Sequence, residues 1–207
     1  MLKPDIDNMV ARYANEDIGS SLGWLGYNTQ FDDRSARINY SFVREFKPKV
    51  VVEFGSRTGR CTNDILKALI KNGKKYVFRS YELEDKLRKI AQQEIDRIFG
   101  DESITIGGDI TKAEDIPNNI DYLFIDNYHD MKTTEWVFSS LIKKCSKNAI
   151  IQIHDVRLKG DLEPVDGIQE ETQYLVDMYK KGILPIEKLY FAYEYEKPIE
   201  SSWWKIK

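Results

Sequence analysis

The stretch Val50-Val51-Val52-Glu53-Phe54-Gly55-Ser56-Arg57-Thr58-Gly59 constrains the fold of this chain more than any other. Val50–Phe54 is a short apolar, β-branched run, the pattern of a strand covered on both faces. Its acid, Glu53, is expected at the rim of a sheet rather than inside it. Gly55 and Gly59 let the backbone turn tightly and approach a ligand closely. Beyond them Ile65, Leu66, Leu69 and Ile70 fall on one helical face, and Asn72-Gly73 supplies a stop. A strand, a glycine turn and a helix N-terminus together make a binding corner for a nucleotide-type ligand.

The alternation then continues. Strands are expected at Tyr76–Glu82, Ser103–Ile106, Tyr122–Ile125 and Ala149–Ile153, with helices at Glu84–Phe99, Thr133–Lys144 and Glu170–Lys181. The aromatic, alternating segments Ile186–Tyr195 and Ser202–Ile206, joined through Lys197-Pro198, read as an antiparallel pair. The expected fold is therefore α/β: a Rossmann-like, doubly wound, mostly parallel seven-stranded sheet with helices on both faces and an antiparallel C-terminal hairpin. Trp203-Trp204 is expected to pack that hairpin, with Glu194 and Glu196 on its exposed face.

Residues 1–45 precede the first strand and read as an N-terminal arm or lid, leaving 46–207 as the α/β domain. The arm holds two candidate helices, Asp5–Glu16 and Asp33–Phe46. Between them Trp24, Tyr27 and Phe31 either pack over the core or wall a ligand. A length of 207 residues, 42% of them hydrophobic and 31% charged, suits one soluble domain. The net charge of −3 counts against a nucleic-acid partner. There is no signal-peptide pattern and no apolar run near the ~18 residues of a membrane span, so no membrane partner is expected. Cys61 and Cys145 lack metal-ligand spacing and read as reduced thiols, which fits a cytoplasmic protein. Oligomeric state stays open.

In doubly wound sheets ligands bind beyond the carboxyl ends of the strands. Glu53, Glu82, Asp109, Asp126 and His154-Asp155 each end or follow an expected strand, a succession hard to ascribe to solvated loop charge. This pattern resembles the class I S-adenosylmethionine-dependent methyltransferases over about residues 40–207. Their E/D-x-G-x-x-x-G loop corresponds to Glu53-Phe54-Gly55-Ser56-Arg57-Thr58-Gly59, with Arg57 where many members carry glycine. The resemblance implies S-adenosylmethionine as cofactor, its methionine part over Glu53, Gly55, Ser56 and Gly59. It implies Glu82 at the ribose hydroxyls and Asp109 at the adenine amino group, with Asp126 also on the cofactor side. A carboxylate suits a diol because it accepts two hydroxyl hydrogen bonds.

Phe124-Ile125-Asp126-Asn127-Tyr128-His129-Asp130 and Ile151-Gln152-Ile153-His154-Asp155 are similar to the small-molecule and sugar O-methyltransferases of the macrocin and cephalosporin-pathway type. Relatives of the catechol O-methyltransferase kind place a divalent metal at these strand ends. Asp126, His154 and Asp155 are the corresponding metal candidates, and hard oxygen ligands favour Mg2+ or Ca2+ there. The acceptor is then a small-molecule or sugar hydroxyl.

Methyl transfer to a hydroxyl requires in-line positioning and removal of a proton, by a base or by a metal that acidifies the group. The chain has two histidines, His129 and His154, and both fall at these strand ends. His129, His154 and Asp155 are thus the catalytic candidates. The alternatives are a surface role for His129 with Asp130 as a helix cap, and a His154 that only orients Asp155. Two other functions share parts of the pattern. A nicotinamide-dependent oxidoreductase would need G-x-G-x-x-G, which Gly55-Ser56-Arg57-Thr58-Gly59-Arg60 lacks. A non-catalytic cofactor-binding domain would bind without turnover.

Overall fold

The computed structural model describes residues 6–16, 33–100, 104–126, 130–156, 158–159, 163–164, 170–192 and 201–207. The chain divides into two compact units, residues 1–116 and 117–207.

In the first unit α1 (Ile6–Arg12) and α2 (Asp33–Phe46) precede β1 (Val50–Phe54), α3 (Arg60–Asn72), β2 (Val77–Tyr81), α4 (Asp85–Phe99) and β3 (Ile106–Gly107). β1 runs parallel to β2 from Val50↔Val77 to Phe54↔Tyr81, and β2 runs parallel to β3. α3 buries Ile65, Leu66 and Leu69 as its periodicity predicts. Ile70 departs from that expectation and is 50% exposed, having turned past the buried arc in the last turn. Gly73 then stops the helix in the left-handed conformation, φ 64°, its N–H donating to Ile70 O. Gly59 is needed for two reasons: its φ is +87°, and a Cβ there would lie 3.3 Å from Ala91 Cα on α4.

The segment before β1 is tied into this unit. Arg44 pairs with Glu16 at 3.0 Å and also bonds Asn72 of α3, whose Nδ2 donates to Val43 O at 2.9 Å. Arg37 donates to the carbonyls of Tyr13 and Glu16, and Arg12 pairs with Glu45 at 2.8 Å. Trp24, Tyr27 and Phe31 lie outside the described residues. The third strand differs from expectation: among the described residues it is Ile106–Gly107, shifted toward the glycines. Gly107 pairs with Tyr81, and a Cβ there would fall 2.7 Å from the Tyr81 ring, so the short strand lies close under that aromatic.

In the second unit β4 (Ile120–Ile125) pairs parallel with β5 (Cys145–His154). Two short strands, β6 (Leu158–Lys159) and β7 (Glu163–Pro164), form a separate two-stranded sheet in what reads as loop. α6 (Glu170–Lys180) leads to β8 (Ile186–Ala192) and β9 (Ser201–Ile206). β9 pairs antiparallel with both β5 and β8, so the final strand enters between them. Trp203 and Trp204 are fully buried in it, and Trp204 meets Tyr179 of α6 edge-on at 5.1 Å. Glu194 and Glu196 lie outside the described residues. The single helix expected at Thr133–Lys144 is instead α5 (Met131–Trp136), a π-helical turn at Val137–Leu141 and a 3-10 turn at Ile142–Lys144. Asp130 caps its start, accepting from Thr133 N at 2.9 Å. The strand order is β3-β2-β1-β4-β5-β9-β8 in a seven-stranded sheet, with β3, β2 and β1 parallel in the first unit, β4 and β5 parallel in the second, and β9 antiparallel to both β5 and β8.

Candidate active site

In the first unit the glycine turn is built from backbone bonds. Gly55 N and Ser56 N both donate to Tyr81 O, at 2.9 and 3.2 Å, and Gly59 N donates to Ser56 O at 2.7 Å. Arg57 sits at the turn's apex with φ 51°, a left-handed conformation that a glycine adopts without strain. That is the physical reason for glycine at this place in the loop pattern. The Arg57 N–H donates to Glu82 Oε2 at 2.7 Å, and Glu84 N donates to Glu82 Oε1 at 2.9 Å. Two main-chain donors therefore aim the buried Glu82 carboxylate. Gly59 immediately precedes α3 and, lacking a side chain, supplies no cap bond there. Ser56 Oγ is buried beside this turn with no hydrogen-bond partner among the described residues.

Glu53 does not lie at the rim. It is fully buried, and its Oε2 accepts from Thr62 Oγ1 of α3 and Ser80 Oγ of β2, each at 2.6 Å. The carboxylate thus pins α3 and β2 to β1. Asp109 caps the turn Ile110–Lys112, accepting from Thr111 N at 3.0 Å and Thr111 Oγ1 at 2.7 Å. Those Thr111 bonds, with Lys112 at 2.9 Å, hold its carboxyl below the usual range.

In the second unit the ends of β4 and β5 bring Asp126, His154 and Asp155 together, with one potential ligand atom from each lying within 4.8 Å of the others. His154 Nδ1 lies 3.1 Å from Asp155 Oδ1 and 3.4 Å from Asp126 Oδ1. Burial of the ring opposes its charge, but Asp126 first and Asp155 second outweigh that and push its pKa up to about 10. The two carboxylates beside the ring therefore favour the imidazolium form of His154 at neutral pH. Asp155 carries φ 57°, local backbone strain of the kind that persists where surroundings fix a functional group. Ser201 of β9 stands opposite His154 in the ladder, on the same sheet face.

The structure thus groups Gly55, Ser56, Gly59 and Glu82 in one place and Asp126, His154 and Asp155 in another, while Glu53 and Asp109 serve local bonds. His129 lies outside the described residues. Sequence reading did not single out Thr62 and Ser80, the partners of Glu53. It also missed Asp64, a buried acid on α3 whose carboxyl is pushed well up by burial.

A mostly parallel sheet with a glycine turn after its first strand and carboxylates after its second, fourth and fifth defines the class as a Rossmann-like α/β fold. The family model described as "Methyltransferase domain" matches residues 52–156, just over half of the chain, and the chain belongs to that family. No curated protein matches it in sequence. Among solved structures, it is similar to the Bacillus cereus O-methyltransferase in complex with SAH, with 14% identity, TM-score 0.65, and coverage of 100% of this chain and 94% of that one. It is also similar to SAH-bound Podospora anserina methyltransferase PaMTH1, with 13% identity, TM-score 0.65, and coverage of 99% and 88%. A third is the O-methyltransferase TomG of Streptomyces achromogenes, involved in tomaymycin synthesis and solved with SAM, at 12% identity, TM-score 0.64, and coverage of 97% and 86%. At these identities the likeness is one of fold.

Proposed function

We propose that this methyltransferase moves a methyl group from S-adenosylmethionine to a hydroxyl of a small molecule. The Asp126–His154–Asp155 cluster, in a chain of this family, carries the reading. The S-adenosyl ligands of the Bacillus, Podospora and Streptomyces proteins support the donor, and the family match favours it over a nicotinamide cofactor.

Glu82 accepts the two ribose hydroxyls, and the turn Gly55–Gly59 with the first amides of α3 receives the amino-acid end. Asp109 lies after β3, where the adenine amino group is read. The S–CH3 bond breaks as the O–CH3 bond forms, and the acceptor oxygen gives up its proton. His154 holds its own proton and is a poor base in this arrangement; it orients Asp126 and Asp155, whose carboxylates are the acceptors for the hydroxyl proton. His129 stays a second base candidate.

The donor set also fits a divalent ion: two carboxylates and one imidazole can converge on one point. Asp126, Asp155 and His154 would hold it, and it would acidify the acceptor hydroxyl. The two carboxylates suit Mg2+, and the imidazole would also admit Mn2+ or Zn2+. Two cysteines that form no disulfide support a reducing, cytoplasmic setting.

Calorimetric titration with S-adenosylmethionine and S-adenosylhomocysteine, with NAD as control, tests the donor. Dissociation constants on the order of micromolar, weakened at least tenfold in Glu82→Gln, are expected. Binding of NAD instead, or of neither S-adenosyl ligand, overturns the reading.

A further inference from the structure

We propose that one end of the first unit docks on an anionic lipid bilayer. Between residues 46 and 81 the acids are Glu53 and Asp64, and both are fully buried. Lys47, Lys49, Lys71, Lys74 and Lys75 in the same span are exposed. Of the acids before them, Glu45 is engaged by Arg12 and Tyr13, and Glu16, which Lys71 also faces, is engaged by Arg44 and Tyr40.

The fold gathers these lysines. Val77 N donates to Lys49 O at 2.7 Å, which sets the start of β1 beside the start of β2. Asn72, at the end of α3, bonds Val43 O and Arg44 near the end of α2. Lys47 and Lys49 therefore share one end of the unit with Lys71, Lys74 and Lys75. Two aliphatic side chains stand exposed among them, Ile70 at 50% and Val77 at 42%. Complementing a helix C-terminus accounts for Lys47 and Lys71, which lie at the ends of α2 and α3, but not for the whole group.

Basic side chains around exposed aliphatics match a negatively charged headgroup layer over hydrocarbon. An acidic protein would answer the lysines but leave Ile70 and Val77 without apolar contact. Peripheral docking needs no membrane span, and among the described residues no helix is long and apolar enough to cross a membrane. The Gly55–Gly59 turn and Glu82 lie at the opposite ends of the same strands, so docking leaves them facing away from the lipid.

Co-sedimentation with sucrose-loaded vesicles tests this. The full chain is expected to bind phosphatidylcholine vesicles containing about 30% phosphatidylserine and not pure phosphatidylcholine, with binding lost in high salt. At about fivefold per lysine, Lys71→Glu/Lys74→Glu/Lys75→Glu lowers partitioning on the order of a hundredfold or more. Ile70→Ser/Val77→Ser lowers it several-fold at unchanged charge. Melting temperature and S-adenosylhomocysteine binding of both variants are expected to match the parent. No binding to the anionic vesicles, equal binding to neutral ones, an unaffected triple lysine variant, or retention on polyglutamate without vesicle binding overturns the proposal.

Discussion

Removing one carboxylate from His154 tests the chemistry of the β4–β5 end most directly. The ring is 4% exposed, with Asp155 at 3.1 Å and Asp126 at 3.4 Å from Nδ1. Burial alone would discharge it; Asp126, then Asp155, push its pKa from the ordinary 6.5 to about 10. At about 1.36 kcal/mol per pH unit this linkage is worth roughly 5 kcal/mol. The folded value lies above the unfolded one, so the folded protein binds the extra proton between them. The stabilisation is full below pH 6.5, declines as pH rises and is gone above about 10. For a chain of this size each kcal/mol moves Tm by about 2–4 °C. The wild type should therefore lose on the order of 10 °C more than His154→Gln between pH 6.5 and 10. Asp126→Asn removes the stronger partner and should flatten most of that difference. Melting curves across this range in EDTA give the stabilities. Imidazole NMR gives the titration directly, because only two histidines contribute. A His154 midpoint near 6.5, or equal pH dependence in wild type and Asp126→Asn, would refute the reasoning.

Glu53→Ala strands the Thr62 and Ser80 hydroxyls and opens a void, so it should cost about 3–5 kcal/mol in urea unfolding. An unchanged midpoint with lost S-adenosylhomocysteine affinity would instead return Glu53 to the ligand. Gly59→Ala forces a side chain into φ +87° and to 3.3 Å from Ala91; about 2 kcal/mol of lost stability is expected, read from the same unfolding curve. Asp64→Asn should raise Tm at pH 7. Burial lifts this carboxyl's folded pKa, so the wild type loses stability as pH climbs above the unfolded value, and the variant's advantage should vanish near pH 3.5. An equal shift at both pH values would place the effect in packing rather than in ionisation.

The parts of the fold set by local chemistry were legible in the sequence. Three consecutive valines specify a buried strand, and Gly73 specifies the stop after α3, because few other residues reach φ 64° without strain. What tertiary contacts decide was not legible. A strand-terminal glutamate looks like a rim acid; only when Thr62 and Ser80 converge on it does Glu53 belong inside. Ile70 fits the helical face by spacing, yet burial on that face ends at Leu69. The π turn at Val137–Leu141 hides within an apolar periodicity that a continuous helix would satisfy. Nor does the order of Ile186–Ala192 and Ser201–Ile206 in the chain say that the later strand lies inside.

Within the candidate site, the sequence put Asp126, His154 and Asp155 at neighbouring strand ends, where the structure brings them together, but could not assign their protonation, and that is what decides their roles. A histidine beside two aspartates reads equally as base, ligand or cation. Two carboxylate oxygens at 3.1 and 3.4 Å from Nδ1 favour the cation against the opposing effect of burial. The same two carboxylates are the charge that a divalent ion would need. Proton and metal therefore compete: a metal that takes His154 as ligand must expel the ring proton, and its affinity must rise with pH until the ring's own pKa is passed. A metal bound by Asp126 and Asp155 alone would face a fixed positive ring within contact distance and be weakened by it. Either way, the arrangement gives the pair of carboxylates a resident counter-charge without a metal, which separates the holding of Asp126 and Asp155 from the presence of any ion.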